Sequence, residues 1–285
     1  MLTINTSNIS PLELQGYLQS AIAPRPICLA STIDKEGQVN LSPFSYFNIF
    51  SMNPPICIFS PARRLRDNTT KHTLENLKEV PECVINIVNY AMVQQVSLSS
   101  CEYSKDINEF TKAGFTQIPS DLVAPPRVAE SPIQLECTVV QIIPLGEKAG
   151  AGNLVLAEIK KIHISESVLN ANNKIDQAKL DLVARLGGDW YARINEQNLF
   201  EVTKPNTQLG MGFDILPIFI RNHTGLSNNE KAQLANCTTL PASLAQNADL
   251  SVHLIDANIG DIRKELANNN AQAAWTIIEK SASHQ

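Results

Sequence analysis

Residues 23–73 read APRPICLASTIDKEGQVNLSPFSYFNIFSMNPPICIFSPARRLRDNTTKHT, and the fold turns on how this stretch is punctuated. Residues 27–33 and 56–60 are apolar, strand-forming runs. Between them, Asp34-Lys35-Glu36-Gly37 supplies a turn with a glycine free to take positive φ, and residues 38–42 run back as a partner strand. Asn53-Pro54-Pro55 breaks the chain before the next strand, because proline fixes its own φ and restrains its predecessor. Similar runs recur at residues 83–88, 133–144 and 154–164, the last two joined by the glycine-rich loop 146–152. Six strands with few helices between them predict a mainly β protein, an antiparallel barrel rather than a parallel α/β sheet.

The second of those runs opens onto a basic, hydroxylated loop. Arg63, Arg64, Arg66 and Lys71 lie close together, with Ser60, Asn68, Thr69, Thr70 and Thr73 among them. Phosphate is held by cations with converging donors, and the arginine fork meets phosphate oxygens in pairs. The pattern after the loop predicts a helix with Thr69 or Thr70 as N-cap, whose free N–H groups and positive dipole end would favour an anion. The alternative is a solvated basic turn. Before the loop, residues 40–48 carry Ser42, Pro43, Phe44, Ser45, Tyr46, Phe47 and Asn48. Aromatic faces with hydroxyl and amide groups beside them can wall a planar ring and bond its polar edge, though a core strand running into a loop would read the same way.

The whole chain narrows the options. At 285 residues and 44% hydrophobic composition it can bury a sizeable core. No apolar run approaches the ~20 residues that cross a bilayer, and the N-terminal residues lack a basic and apolar leader pattern, so a cytoplasmic location is expected. A net charge of −5 argues against nucleic acid as a partner. The six cysteines are dispersed, several in apolar strands, where a free thiol acts as a small hydrophobe. Five histidines (His72, His163, His223, His253, His284) show no metal-ligand spacing, so no metal site is expected, and His163 reads as a structural residue ending a strand or as one facing a cavity. No GxSxG, Walker loop or strand-linked GxGxxG is present. With no catalytic acid, base or nucleophile evident, the pattern suits chemistry that a bound cofactor performs.

Further elements follow locally. Ser10-Pro11-Leu12-Glu13 predicts a capped helix start. Helices are expected near residues 107–113 and, by apolar spacing, over 261–281. Residues 97–132 form a long polar connection of the kind that supplies lids or dimer contacts. The glycines of Arg185-Leu186-Gly187-Gly188-Asp189-Trp190-Tyr191 permit close backbone approach to a ligand; the alternative is a turn packing Trp190 onto the barrel.

Taken together, Ala23-Pro24-Arg25-Pro26-Ile27, Ala30-Ser31-Thr32, the run from Asn40 to Phe47, Asn53-Pro54-Pro55, Asp67-Asn68-Thr69, Val84-Ile85-Asn86, Glu136-Cys137 and Leu186-Gly187-Gly188-Asp189-Trp190-Tyr191 resemble the flavin reductase-like, FMN-binding split-barrel family, which includes flavoredoxins. The likeness spans roughly residues 10–200. It implies a six-stranded split barrel over residues 1–204 with peripheral helices, a C-terminal, partly helical extension over 205–285 that the likeness does not explain, and a homodimer with FMN at the subunit interface. It places the FMN phosphate near Ser60, Arg63, Arg64, Asn68, Thr69, Thr70 and Lys71, the ring edge near Ser45, Tyr46, Phe47 and Asn48, the ribityl chain near Ser31 and Thr32, and Tyr191 at the site. Where the family shows Lys-Asp-Thr, this chain has Arg66-Asp67-Asn68-Thr69. The implied activity is hydride transfer from NAD(P)H to flavin, with the protein supplying no catalytic residue; the alternative is an electron carrier reduced by a partner and inert to nicotinamides. A third reading is a ligand-binding module without redox use.

Overall fold

The computed structural model describes residues 1–202, 209–245 and 253–283. It divides into two compact units, Met1–Leu199 and Phe200–Gln285. The expected boundary at 204/205 and His284 lie outside the described residues.

The first unit is built on seven strands: β1 (Cys28–Ile33), β2 (Val39–Phe44), β3 (Phe47–Met52), β4 (Pro55–Phe59), β5 (Glu82–Ile87), β6 (Ile133–Pro144) and β7 (Asn153–Ile164). They form one antiparallel sheet in the order β2-β1-β5-β6-β7-β4-β3. The strand beyond the expected six is β3. Residues 47–52 carry mixed aromatic and polar character that reads as a ledge, but the Asn53-Pro54 turn folds them back onto β4, pairing Phe47 with Phe59 and Met52 with Pro55. Register shifts in the β6–β7 pair and in β3–β4 bend these strands, as bulges do where a sheet must curl.

Alternation along the strands sends Cys28, Ala30, Phe44, Cys57, Phe59, Cys83, Ile85, Cys137, Val155 and Ala157 into one interior cluster. Four of the six cysteines are thus core residues, and burial pushes the Cys28 thiol well up from its ordinary value. The other face of β1 is covered as well, since Leu29 and Leu41 pack with Met92, Val96, Phe110 and Val128. A strand buried on both sides shows no alternation of buried and exposed residues, and residues 28–32 are all buried. Helix α1 (Pro11–Ala21) starts at the expected Ser10/Glu13 capping box. Helix α2 (His72–Glu79) inserts Leu77 into the interior cluster. The helix expected at 107–113 is the shorter Glu109–Ala113, capped by Asn108. A small sheet pairs Arg25–Pro26 with Val183–Arg185 and Tyr191–Arg193. No helix is long and apolar enough to cross a membrane among the described residues.

The second unit has its own core, in which Leu216, Phe219, Ile220, Leu234, Ile262, Leu266, Trp275 and Ile278 are all buried. The single helix expected over 261–281 is two, Ile259–Ala267 and Ala271–Ser283. Asn268–Asn270 breaks it, with Asn269 in the left-handed region at φ 55°, a conformation asparagine tolerates better than most residues. Trp275 is 1% exposed and donates its indole N–H to Leu234 O at 3.1 Å. Trp275→Phe removes that bond, leaving Leu234 O with the Cys237 N–H at 3.3 Å, and trims a fully buried ring, and is expected to destabilise this unit by about 1.5 kcal/mol. Urea unfolding followed by circular dichroism should show the loss in one transition only.

Candidate functional site

The basic loop folds against its own backbone before it presents anything outward. Arg63 donates from Nε to Asn68 Oδ1 at 2.7 Å and from Nη2 to Asn68 O at 2.5 Å. Asn68 sits at φ 58° and donates from Nδ2 to Glu147 O at 3.1 Å, tying the loop to residues 146–152. Ser60 is buried, its Oγ accepting the Asn153 N–H at 3.1 Å. Thr69 donates its hydroxyl to Asp67 Oδ1 at 2.6 Å, and Thr70 donates to Glu75 Oε1 at 2.6 Å. With these bonds, Asp67 is held down at about 2, chiefly by the Thr69 hydroxyl and N–H, with Arg66 adding to them. Ser60, Arg63, Asn68, Thr69 and Thr70 therefore build the loop.

The expected N-cap is absent. The residue before α2 is Lys71, and no side chain caps the helix; Leu74 N–H turns to Lys71 O at 2.9 Å, so the N–H groups of His72 and Thr73 are the ones without an intrahelical partner. His72 and Thr73 line a narrow cleft of about 20 Å³ with Asn40, Ser42, Arg64, Lys71 and Glu102. Arg64 donates from Nη1 to Thr69 Oγ1 at 2.9 Å and to Thr70 O, which aims its guanidinium at this corner. Lys71 is half-buried, with Nζ 5.6 Å from the centroid of the Phe44 ring. It has no carboxylate within ion-pair distance among the described residues. Burial lowers its pKa, neighbouring Arg64 lowers it further, and Glu102 opposes both. A desolvated, unpaired ammonium beside a free helix N-terminus is the arrangement an anion would complete.

The ring ledge is only partly gathered there. Phe44 lies 5.3 Å from Phe59 and forms wall and core at once. Ser45 lines a second cleft of 340 Å³ with Phe44, Ser97, Arg185, Asp189 and Tyr191. Tyr46 is 41% exposed and accepts from Gln19 Nε2 at 3.3 Å, Phe47 packs on the interior cluster, and Asn48 accepts its neighbour's N–H. Ser31 and Thr32 are fully buried. The first donates to Pro126 O, the second accepts from Asn76 Nδ2 at 3.2 Å, and neither reaches the surface. Both lie on β1, covered on its two faces, a position that local sequence does not reveal.

Tyr191 stacks under the Arg185 guanidinium at 4.6 Å and lines both the 340 Å³ cleft and an adjoining cavity of 430 Å³. Trp190 is 75% exposed, so the loop does not pack it onto the barrel. Its glycine has another cause: a Cβ on Gly187 would collide with Ser20 of α1. Sequence reasoning missed Ser97, Ser100 and Glu102, which belong to a polar connection without any recurring pattern and reach the site only through the fold.

A separate cluster brings Asp121, Glu136 and His163 together, with ligand atoms within 4.8 Å of one another. Glu136 is fully buried and accepts the N–H groups of Asp121 at 2.9 Å and Leu122 at 2.6 Å, with His163 Nε2 2.6 Å away. Lys161 pairs with Asp121, and Arg127 stands 3.9 Å from Glu136. The Glu136 oxygens are taken by protein donors, His163 among their neighbours.

The curled antiparallel sheet with its peripheral helices is a split barrel of the class found in flavin reductases. Residues 20–179 match the model of the flavin reductase like domain, and the chain belongs to that family. It is 33% identical over 206 residues to an uncharacterized protein of Halalkalibacterium halodurans, spanning 72% of this chain and 97% of that one. Among solved structures, nitrilotriacetate monooxygenase component B from Bacillus cereus is 30% identical with a TM-score of 0.66, covering 71% of this chain and 98% of its own. The 2-nitrobenzoate 2-nitroreductase of Pseudomonas fluorescens shares the fold at 24% identity and a TM-score of 0.65, covering 74% of this chain and all of that one.

Proposed function

We propose that this protein binds FMN and works as an NAD(P)H-dependent flavin oxidoreductase. The observation that carries the reading is the placement of Lys71: its unpaired ammonium stands at the uncapped start of α2 and 5.6 Å from the Phe44 ring centroid, so an anion site and an aromatic wall share one edge. Arg64, Lys71 and the first-turn N–H groups of α2 would hold the phosphate. Phe44 and Ser45 would flank the ring, with Tyr191 across the neighbouring cleft. Ser60, Arg63, Asn68, Thr69 and Thr70 fix the loop that carries Arg64. The flavin supplies the redox chemistry, accepting hydride and passing electrons on. The chain's own part is to bind the phosphate, orient the ring and shield it.

Freshly purified protein is expected to show flavin absorbance, or to acquire it with added FMN, and to bleach anaerobically with NADH or NADPH. Bound flavin that neither nicotinamide bleaches would make the chain a carrier reduced by a partner. Failure to take up FMN would end the reading.

A homodimer belongs to this proposal. Ile49, Phe50 and Met52 on β3 are 48%, 65% and 76% exposed, an apolar edge of the kind monomers avoid. Phe50→Glu is expected to weaken self-association at least tenfold, read by sedimentation over a concentration series.

A further inference from the structure

The anion corner already holds an anion of the chain's own. Glu102 places Oε1 3.1 Å from Arg64 Nε and Oε2 2.7 Å from Arg66 Nη2. It bridges the two arginines much as two oxygens of a phosphate would. Its carboxyl is held below the ordinary range, first by the hydrogen bond from Arg66, with burial opposing and the charges of Arg66 and Arg64 adding. The side chain is 46% exposed, so it can leave without dragging core residues. The backbone around it is anchored on either side: Ser99 is buried with its hydroxyl on Val96 O at 2.8 Å, and Lys105 pairs with Asp34 at 3.2 Å. Lys71, by contrast, is left without a carboxylate partner among the described residues. The corner is thus partly filled: Glu102 serves Arg64 and Arg66 and also lines the cleft of about 20 Å³ at Lys71 and the start of α2, so a phosphate enters there only as that side chain moves out.

We infer that Glu102 is the residue that sets how tightly, and how selectively, this site holds a phosphorylated ligand: its carboxylate, anchored also by Arg66, competes with the ligand's phosphate for Arg64. The inference rests on the flavin reading above. Binding exchanges one anion for another at Arg64. The phosphate therefore gains only the difference between its own contacts and those that Glu102 gives up. A doubly charged phosphate that also reaches Lys71 and α2 wins that exchange, but with reduced affinity and faster release. Such a device suits a protein that trades its flavin rather than keeping it. Riboflavin lacks the phosphate, does not compete with Glu102 and should be indifferent to it.

Titrating FMN and riboflavin into flavin-stripped protein, read by flavin fluorescence, separates the possibilities. Glu102→Gln keeps the side chain's size and removes its charge. It is expected to tighten FMN about fivefold at low salt, the order for giving up half-exposed ion pairs, and to slow FMN release by a similar factor. Riboflavin affinity should stay within twofold, and the FMN gain should shrink as salt rises. Glu102→Ala should act in the same direction. If wild type binds FMN and Glu102→Gln binds it equally or more weakly, Glu102 positions the arginines instead, and the inference falls while the flavin reading stands. An equal gain for FMN and riboflavin would also overturn it. If neither wild type nor variant binds FMN, both fall together.

Discussion

Arg64→Ala combined with Lys71→Met is expected to weaken FMN binding by about 3–5 kcal/mol, at least a hundredfold, from the loss of two charge-assisted contacts to a phosphate. Lys71→Met retains the apolar stem beside Phe44 and removes only the charge. The two changes should differ in their effect on the flavin-free fold. Arg64 is braced by Thr69, Thr70 and Glu102, so its loss loosens the loop. Lys71 has no carboxylate partner among the described residues, and burial lowers its pKa. A base whose folded pKa lies below its unfolded value destabilises the fold wherever the unfolded chain is charged, which includes neutral pH. Lys71→Met alone should therefore raise the melting temperature of the flavin-free protein while lowering FMN affinity, the opposition expected of a residue kept for binding. Fluorescence titration and a thermal scan check both. Unchanged FMN affinity in the double variant would remove this corner from the site.

Glu136→Ala is expected to cost about 3–5 kcal/mol of stability without touching the ligand clefts. It strands the N–H groups of Asp121 and Leu122 and leaves His163 and Arg127 without their buried carboxylate. The wild-type carboxyl also gives a pH dependence. Burial pushes its pKa up, but the Asp121 N–H, the His163 ring and the Leu122 N–H together hold it below the ordinary value of 4.5. Because the folded pKa is the lower one, this contribution is complete above about pH 4.5 and is lost as pH falls through the folded value. Urea midpoints measured from pH 7 down to pH 3 should show a steeper acid loss for wild type than for Glu136→Ala. Parallel curves would mean the carboxyl does not drive the acid loss.

The sequence alone was enough for the barrel and for locating the cationic loop that the proposed site uses. Strand periodicity, the Gly37 turn and the Asn53-Pro54 break are local properties, and local properties set which segments pair and where the chain reverses. The density of arginines before His72 is local too, and it marked the loop on which the proposed phosphate site rests. Which of those cations are spoken for was a tertiary matter. Arg63 is consumed by Asn68 five residues away, Arg64 and Arg66 by Glu102, which is 38 and 36 residues distant, and Lys71 by nothing acidic among the described residues. Ser31 and Thr32 looked equally available in the sequence, yet β1 is buried on both faces and spends their hydroxyls on Pro126 and Asn76. A side chain's type is written in the chain, but its spare bonding capacity depends on what the fold brings against it, and that second quantity decides what a site can hold.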